Sequence, residues 1–208
     1  MKRARSPIKK LLDKEFYARD TLTVAQELVG KVLEHKTSEG TISVIINETE
    51  AYSEEEPSCH AYKGKTKRTR AMFEEASTIY IYNIYGMHKC INFITEVAGK
   101  GCGVLLRGVL PLRGTEHLLG KAKNVSKLLD GPAKLVKSMK IPMDYYGMSL
   151  LDEECPLKIY DEGYSAQDIK ATPRIGISQA KELEWRFIAK KFSKADEDSQ
   201  LLALIKKL

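Results

Sequence analysis

Glu50 stands two residues from an aromatic ring in the run Asn47-Glu48-Thr49-Glu50-Ala51-Tyr52. Further along, Tyr80-Ile81-Tyr82-Asn83-Ile84-Tyr85-Gly86-Met87-His88-Lys89-Cys90-Ile91-Asn92 crowds tyrosines, a histidine and an asparagine around a glycine turn. A carboxylate in such surroundings can take a proton from water or steady a developing positive charge. Aromatic faces attract flat, electron-poor rings. Between the two runs, Lys63-Gly64-Lys65-Thr66-Lys67-Arg68-Thr69-Arg70 carries basic side chains and no acidic one, which suits a polyanion. Each run also has an ordinary reading, as a solvated strand end, a half-buried aromatic strand and a solvated loop.

The elements that must position these groups are mostly strands. Residues 31–35 and 41–50 read as two strands joined through Ser38-Glu39-Gly40, and on the second Glu48 and Glu50 share a face at period two. Residues 78–85 and 89–95 form a hairpin around Gly86, with Tyr80 and Tyr82 in phase and Tyr85 out of phase at the tip. Residues 104–111, 157–160 and 174–177 read as further strands. Thr23 with Gln26 has the spacing of a capping box and opens a short helix through Leu28 with Gly30 as its stop. Helical signals return at residues 115–119 and at 132–139, where Pro132 suits the first turn. Strands with helices segregated between them, and no regular βαβ alternation, predict an α+β fold: one domain, a mostly antiparallel curved sheet, short surrounding helices and a protruding β-hairpin.

Composition narrows the function classes. A chain of 208 residues, 43% hydrophobic, can bury a full core and suits one domain. No apolar run approaches the roughly 18 residues of a membrane span. The basic start is followed by Asp13-Lys14-Glu15 instead of an apolar stretch, so a secretory signal is not expected and an intracellular location is. Cys59, Cys90, Cys102 and Cys155 form no C-x-x-C pair, which argues for free thiols and against a zinc ribbon or redox motif. The net charge of +6 permits a polyanionic partner.

The order of these motifs resembles the alkyladenine, or 3-methyladenine, DNA glycosylase family. The blocks are Glu-Thr-Glu-Ala-Tyr at 48–52, His60, residues 66–73, Tyr-x-Tyr-x-x-Tyr-Gly-Met ending in Asn92, Val-Leu-Leu-Arg at 104–107, and Gly131-Pro132-x-Lys134-Leu135. The resemblance covers residues 16–191, between a basic arm at 1–15 and a tail at 192–208 that reads as a short helix. It implies an enzyme of base excision repair that flips damaged purines out of duplex DNA and hydrolyses the N-glycosidic bond.

Carried over residue by residue, the resemblance makes Glu50 the group that activates water, and Arg107 the cation beside that water and the lesion phosphate. It places Tyr52, His60, Tyr82 and Asn92 around the extruded base, with Asn92 disfavouring the exocyclic amino group of undamaged guanine. Tyr85 is the side chain that enters the duplex, and Met87 and His88 flank it in the minor groove. The basic loop supplies Lys65, Lys67, Arg68 and Arg70 for the DNA backbone. No metal and no cofactor is implied, and the expected partner is double-stranded DNA bound by a monomer. Two departures stand out: the connection from Glu50 to His60 is one residue shorter than in some relatives, and His88 stands where others have tyrosine. Two rival readings are a noncatalytic nucleic-acid-binding domain, which leaves Glu50 unexplained, and a metal-dependent nuclease built on Glu48, Glu50 and His60.

Overall fold

The computed structural model describes residues 9–84, 86–118 and 124–194. Tyr85 and the tail from residue 195 lie outside the described residues, as does most of the basic arm. In chain order the strands are β1 (Lys10–Leu11), β2 (Val32–Thr37), β3 (Gly40–Tyr52), β4 (Ile79–Ile84), β5 (His88–Ile94) and β6 (Gly103–Arg113). They continue with β7 (Leu157–Asp161), β8 (Tyr164–Gln167), β9 (Lys170–Thr172), β10 (Arg186–Ile188) and β11 (Lys191–Lys194). The short helices α1 (Lys14–Tyr17), α2 (Thr21–Leu28), α3 (Ser126–Leu129) and α4 (Pro132–Ser138) lie between them. One sheet runs β1-β7-β2-β3-β6-β5-β4, with β10 also on β3 and β9 on β10, and β8 pairs separately with β11. Every pairing is antiparallel, as expected of an α+β domain.

Helix α2 begins earlier than the Thr23 capping box predicts. The Asp20 carboxylate accepts the Thr23 N–H at 2.9 Å, so an equally good cap closer to the buried face of Thr21, Val24, Ala25 and Leu28 takes the role. Helix α4 starts at Pro132, directly after Gly131 at φ 119°. The expected strand at 174–177 is not formed; these residues are irregular. Pro173 lacks a ladder donor, and the Ile175 N–H goes to a side chain, so the segment has no ladder to join. The strand that pairs with the end of β3 is instead β10, with Arg186 opposite Glu50.

Period-two alternation on the central strands divides the interior in two. Ile79 and Ile81 of β4, Ile91 and Phe93 of β5, and Val104 and Leu106 of β6 join the main core under α2 and α4. The alternate residues of the same strands face the other way, where Tyr80 and Ile94 pack with Cys59, Ala61, Ala71 and Met72 in a smaller cluster. Strands buried on both faces hold their register tightly, because a slip of one residue would exchange the two interiors.

Gly101 sits against that smaller cluster. A Cβ there would lie 2.3 Å from the Ala61 Cβ and 2.9 Å from Phe73 Cζ. The Phe73 edge can swing, but Ala61 cannot. Gly101→Ala is therefore expected to cost about 1–3 kcal/mol through overpacking. Urea unfolding should show a lower midpoint at unchanged slope; an unchanged midpoint would show that the cluster has slack.

Candidate active site

Register aligns the chemistry-bearing residues across four strands. Glu50 lies opposite Leu105, Leu105 opposite Asn92, and Asn92 opposite Tyr80, with Tyr82 opposite Cys90 one step along. This row forms one wall of a cavity of about 620 Å³ whose lining includes Tyr52, His60, Arg68, Tyr82, Asn92 and Arg107. Its size suits a small flat ligand. The six residues assigned to catalysis and base holding are thus brought together, with Glu50 directly behind the lining.

Glu50 is fully buried, with 0% exposure. Its Oε1 accepts the Ile175 N–H at 2.8 Å and lies 3.4 Å from Arg107 Nη1, while its Oε2 accepts the Tyr52 hydroxyl at 2.8 Å. Burial raises its pKa above the ordinary 4.5, against the opposing pull of Arg107, the Ile175 N–H and the Tyr52 hydroxyl. Arg107 reaches this position because the β3–β6 ladder passes from Glu48 opposite Gly108 to Thr49 opposite Leu106, leaving Arg107 unpaired in a bulge. Bulges re-aim side chains in this way. Gly108 is needed beside it: a Cβ there would meet Asn47 Oδ1 at 2.9 Å and Glu48 Cβ at 3.2 Å.

Glu48 is a strut in this arrangement. Its Oε1 accepts Arg107 Nε at 3.0 Å and Arg186 Nη1 at 2.8 Å. The chain Arg186–Glu48–Arg107–Glu50 alternates in sign and fixes the Arg107 guanidinium from two sides. The ligand set of the metal-nuclease reading is not assembled. Both carboxylates are held by arginines, His60 faces Tyr80, and among the described residues no three His, Cys, Asp or Glu side chains converge.

The far end of this row is aromatic. Tyr80 and Tyr82 stack at 5.5 Å between centroids, and His60 meets Tyr82 edge-on at 4.5 Å. His60 Nδ1 lies 3.0 Å from the Tyr80 hydroxyl, and its Nε2 lies 3.5 Å from Arg68 Nη2. A guanidinium only donates, so Nε2 is the acceptor and Nδ1 carries the proton. Desolvation, then Arg68, lowers the His60 pKa to about 4, so the ring is neutral at pH 7. Asn92 donates its amide N–H to the Tyr80 carbonyl at 3.2 Å, which fixes the amide plane at the cavity wall.

Apart from Arg68, the remaining predicted residues that the structure describes are not part of this cavity's lining. Met87, 80% exposed, follows Gly86, which turns at φ 74°, and His88 opens β5; both border a second cavity of about 310 Å³ with Lys89, Lys137 and Lys140. Tyr85 lies outside the described residues. In the basic loop, Lys65 pairs with Glu74 at 3.3 Å, Arg70 lies over the Tyr146 ring, and Lys67 borders a cavity beside Tyr82. Arg68 turns inward over the Tyr82 ring at 5.4 Å and lines the main cavity.

Sequence reasoning missed the 173–180 segment. Arg174, with a side chain 0% exposed, donates to Glu56 Oε1 at 2.6 Å and to the Ala51 carbonyl at 2.9 Å. No motif marks it, since a lone arginine beside a proline in an irregular segment has no period to read. The Glu56 side chain is 6% exposed, so Glu56→Ala would leave a buried cation uncompensated, at a cost of about 3–5 kcal/mol. Thermal and urea unfolding check this; a change within 0.5 kcal/mol, roughly that of a surface substitution, would contradict it.

The chain matches the family described as methylpurine-DNA glycosylase over residues 15–193. It is 38% identical over 182 residues to a Carboxydothermus hydrogenoformans protein named "Putative 3-methyladenine DNA glycosylase", covering 86% of this chain and 95% of that one. Proteins of the same name from Methanoculleus marisnigri (38% over 181 residues, 84% of this chain and 93% of that one) and Chlorobaculum parvum (39% over 181 residues, 85% and 86%) are similar to it as well. A match across nearly all the described residues, on a chain whose motif residues converge on one cavity, shows the family: the chain belongs to the methylpurine-DNA glycosylases.

Proposed function

We propose that the chain is a monofunctional DNA glycosylase that releases alkylated purines, 3-methyladenine among them, from duplex DNA and leaves an abasic site. The observation that carries this reading is a buried glutamate, charge-paired to Arg107, directly behind the lining of a cavity walled by tyrosines and a neutral histidine. A base inside a duplex is out of reach, so the nucleotide must be extruded into that cavity. Stacking against Tyr52 and Tyr82 attracts an electron-poor purine by about 0.5–2 kcal/mol per ring contact. Asn92 then reads the edge of the base.

Glu50 accepts a proton from water as the water adds to C1′ of the sugar and the base departs with the bonding electrons. Its negative charge also favours the cationic character that the sugar acquires. Arg107, held by Glu48, supplies a fixed cation for the water and the lesion phosphate. No lysine is needed as a nucleophile, and the product is an intact strand with an abasic sugar. Tyr85, which the sequence places between β4 and β5, fills the space left in the duplex, with Met87 and His88 beside it in the groove.

Glu50→Gln is expected to bind lesion DNA as the wild type does while losing about 10²–10⁴-fold in single-turnover rate. Glu48→Gln should lose less, because it acts only through Arg107. Near-wild-type turnover of Glu50→Gln, or trapping of a covalent complex by borohydride, would contradict the water mechanism. The wild-type rate should rise with pH through a midpoint above 4.5, because Glu50 works ionised and burial raises its pKa. A midpoint at or below 4.5 would contradict that assignment. Tyr85→Ala should shift the flipping equilibrium, read by 2-aminopurine next to the lesion, whereas Tyr82→Ala should blunt discrimination between damaged and normal purines. An unchanged flipping signal would remove Tyr85 from its role.

A further inference from the structure

We propose that Arg174 is a positioning residue for bond cleavage: it clamps the 173–180 segment so that the Ile175 N–H holds Glu50 in its working orientation. This rests on the reading of Glu50 as the base. The Arg174 guanidinium is wholly buried, sandwiched between the rings of Tyr52 at 4.6 Å and Trp185 at 5.1 Å. Nη1 donates to Glu56 and to the Ala51 carbonyl, and Nη2 reaches the Ala180 carbonyl at 3.5 Å across its own loop. Ala51 lies between Glu50 and Tyr52, and its N–H donates to the Trp185 carbonyl at 2.9 Å. The clamp therefore grips the stretch of β3 that carries the carboxylate and its tyrosine partner.

The residue after Arg174 delivers the shortest contact to Glu50 Oε1, the Ile175 N–H at 2.8 Å. Ile175 and Gly176 then continue as cavity lining. A buried ion pair seldom adds net stability over well-packed apolar residues, so stability alone gives little reason for this one. What the pair and the two rings do provide is a rigid frame that ties an irregular segment to β3. A backbone donor on such a segment would otherwise wander, and misplacement by about 1 Å costs roughly 10²-fold in rate.

The test uses the full chain with Arg174→Lys, which keeps the charge but loses the planar fork. Single-turnover base release from methylated duplex DNA is followed across pH, together with affinity for the same DNA and emission from Trp185, the chain's single tryptophan. The proposal predicts a loss of roughly 10²-fold in rate, affinity kept within about threefold, a changed Trp185 emission, and a rate midpoint displaced to higher pH. The last follows in sign, since the Ile175 N–H is one of the groups that lower the Glu50 pKa. A rate loss that is equal at every pH, with the midpoint unmoved, would mark a purely structural role and overturn the proposal, as would wild-type kinetics. If Arg174→Lys does not fold, Trp185→Leu removes one wall of the clamp and must displace the midpoint in the same direction; an unmoved midpoint overturns the proposal. Glu50→Gln run in parallel separates the two claims: an inactive Glu50→Gln beside an unshifted Arg174→Lys leaves the base assignment standing and removes only the clamp.

Discussion

A carboxylate with no access to solvent must be compensated from within, and the architecture around Glu50 is organised by that requirement. Its two oxygens are engaged by Arg107, the Ile175 N–H and the Tyr52 hydroxyl. Each partner imposes its own demand on the fold. Arg107 needs a bulge in β6 and a glycine beside it; the Ile175 N–H needs an irregular segment held next to β3; Tyr52 needs Glu50 two residues before it on the same face. Glu48 and Arg186 complete the charge balance, so that the cation facing Glu50 is itself fixed. The result is a buried carboxylate whose charge is compensated from within the fold.

The aromatic side of the cavity works on different physics. Tyr80, Tyr82 and His60 form an edge-and-face arrangement in which hydrogen bonds set ring orientation. Arg68 bridges this wall and the basic loop, because it lies over Tyr82 and donates toward His60. One side chain from the basic loop thereby helps set the geometry of the aromatic wall. A cation at that point also disfavours protonation of His60.

The framework of the sheet was legible from alternation. Strands β2 to β6 were readable because their apolar residues recur at period two and their turns are marked by glycine, and Glu48 with Glu50 fell on one face as expected. The α2 cap was misplaced by three residues because Asp20 and Thr23 both carry a capping side chain and only packing decides between them. The segment at 174–177 was misread as a strand because Ile175 and Ile177 alternate with Arg174 and Gly176; in the fold, its backbone serves a carboxylate instead of a ladder. Arg174, Glu56 and Arg186 were invisible for a related reason. Their roles arise from contacts far apart in sequence, Arg186 with Glu48 and Arg174 with Ala51, which no local pattern encodes. Tyr52, His60, Tyr82 and Asn92 were found by family resemblance, and register explains why their spacing converges on one cavity.

The central claim is that Glu50 is an ionised base whose carboxyl is raised by burial and restrained by Arg107, Ile175 and Tyr52. Carbon-13 NMR of glutamate δ-carboxyl groups, assigned by the resonance that disappears in Glu50→Gln, observes that group directly. The account predicts a single carboxyl titrating above 4.5, whose midpoint moves up when Arg107 is replaced by methionine. A Glu50 carboxyl titrating at or below 4.5, or one indifferent to the loss of Arg107, would contradict it.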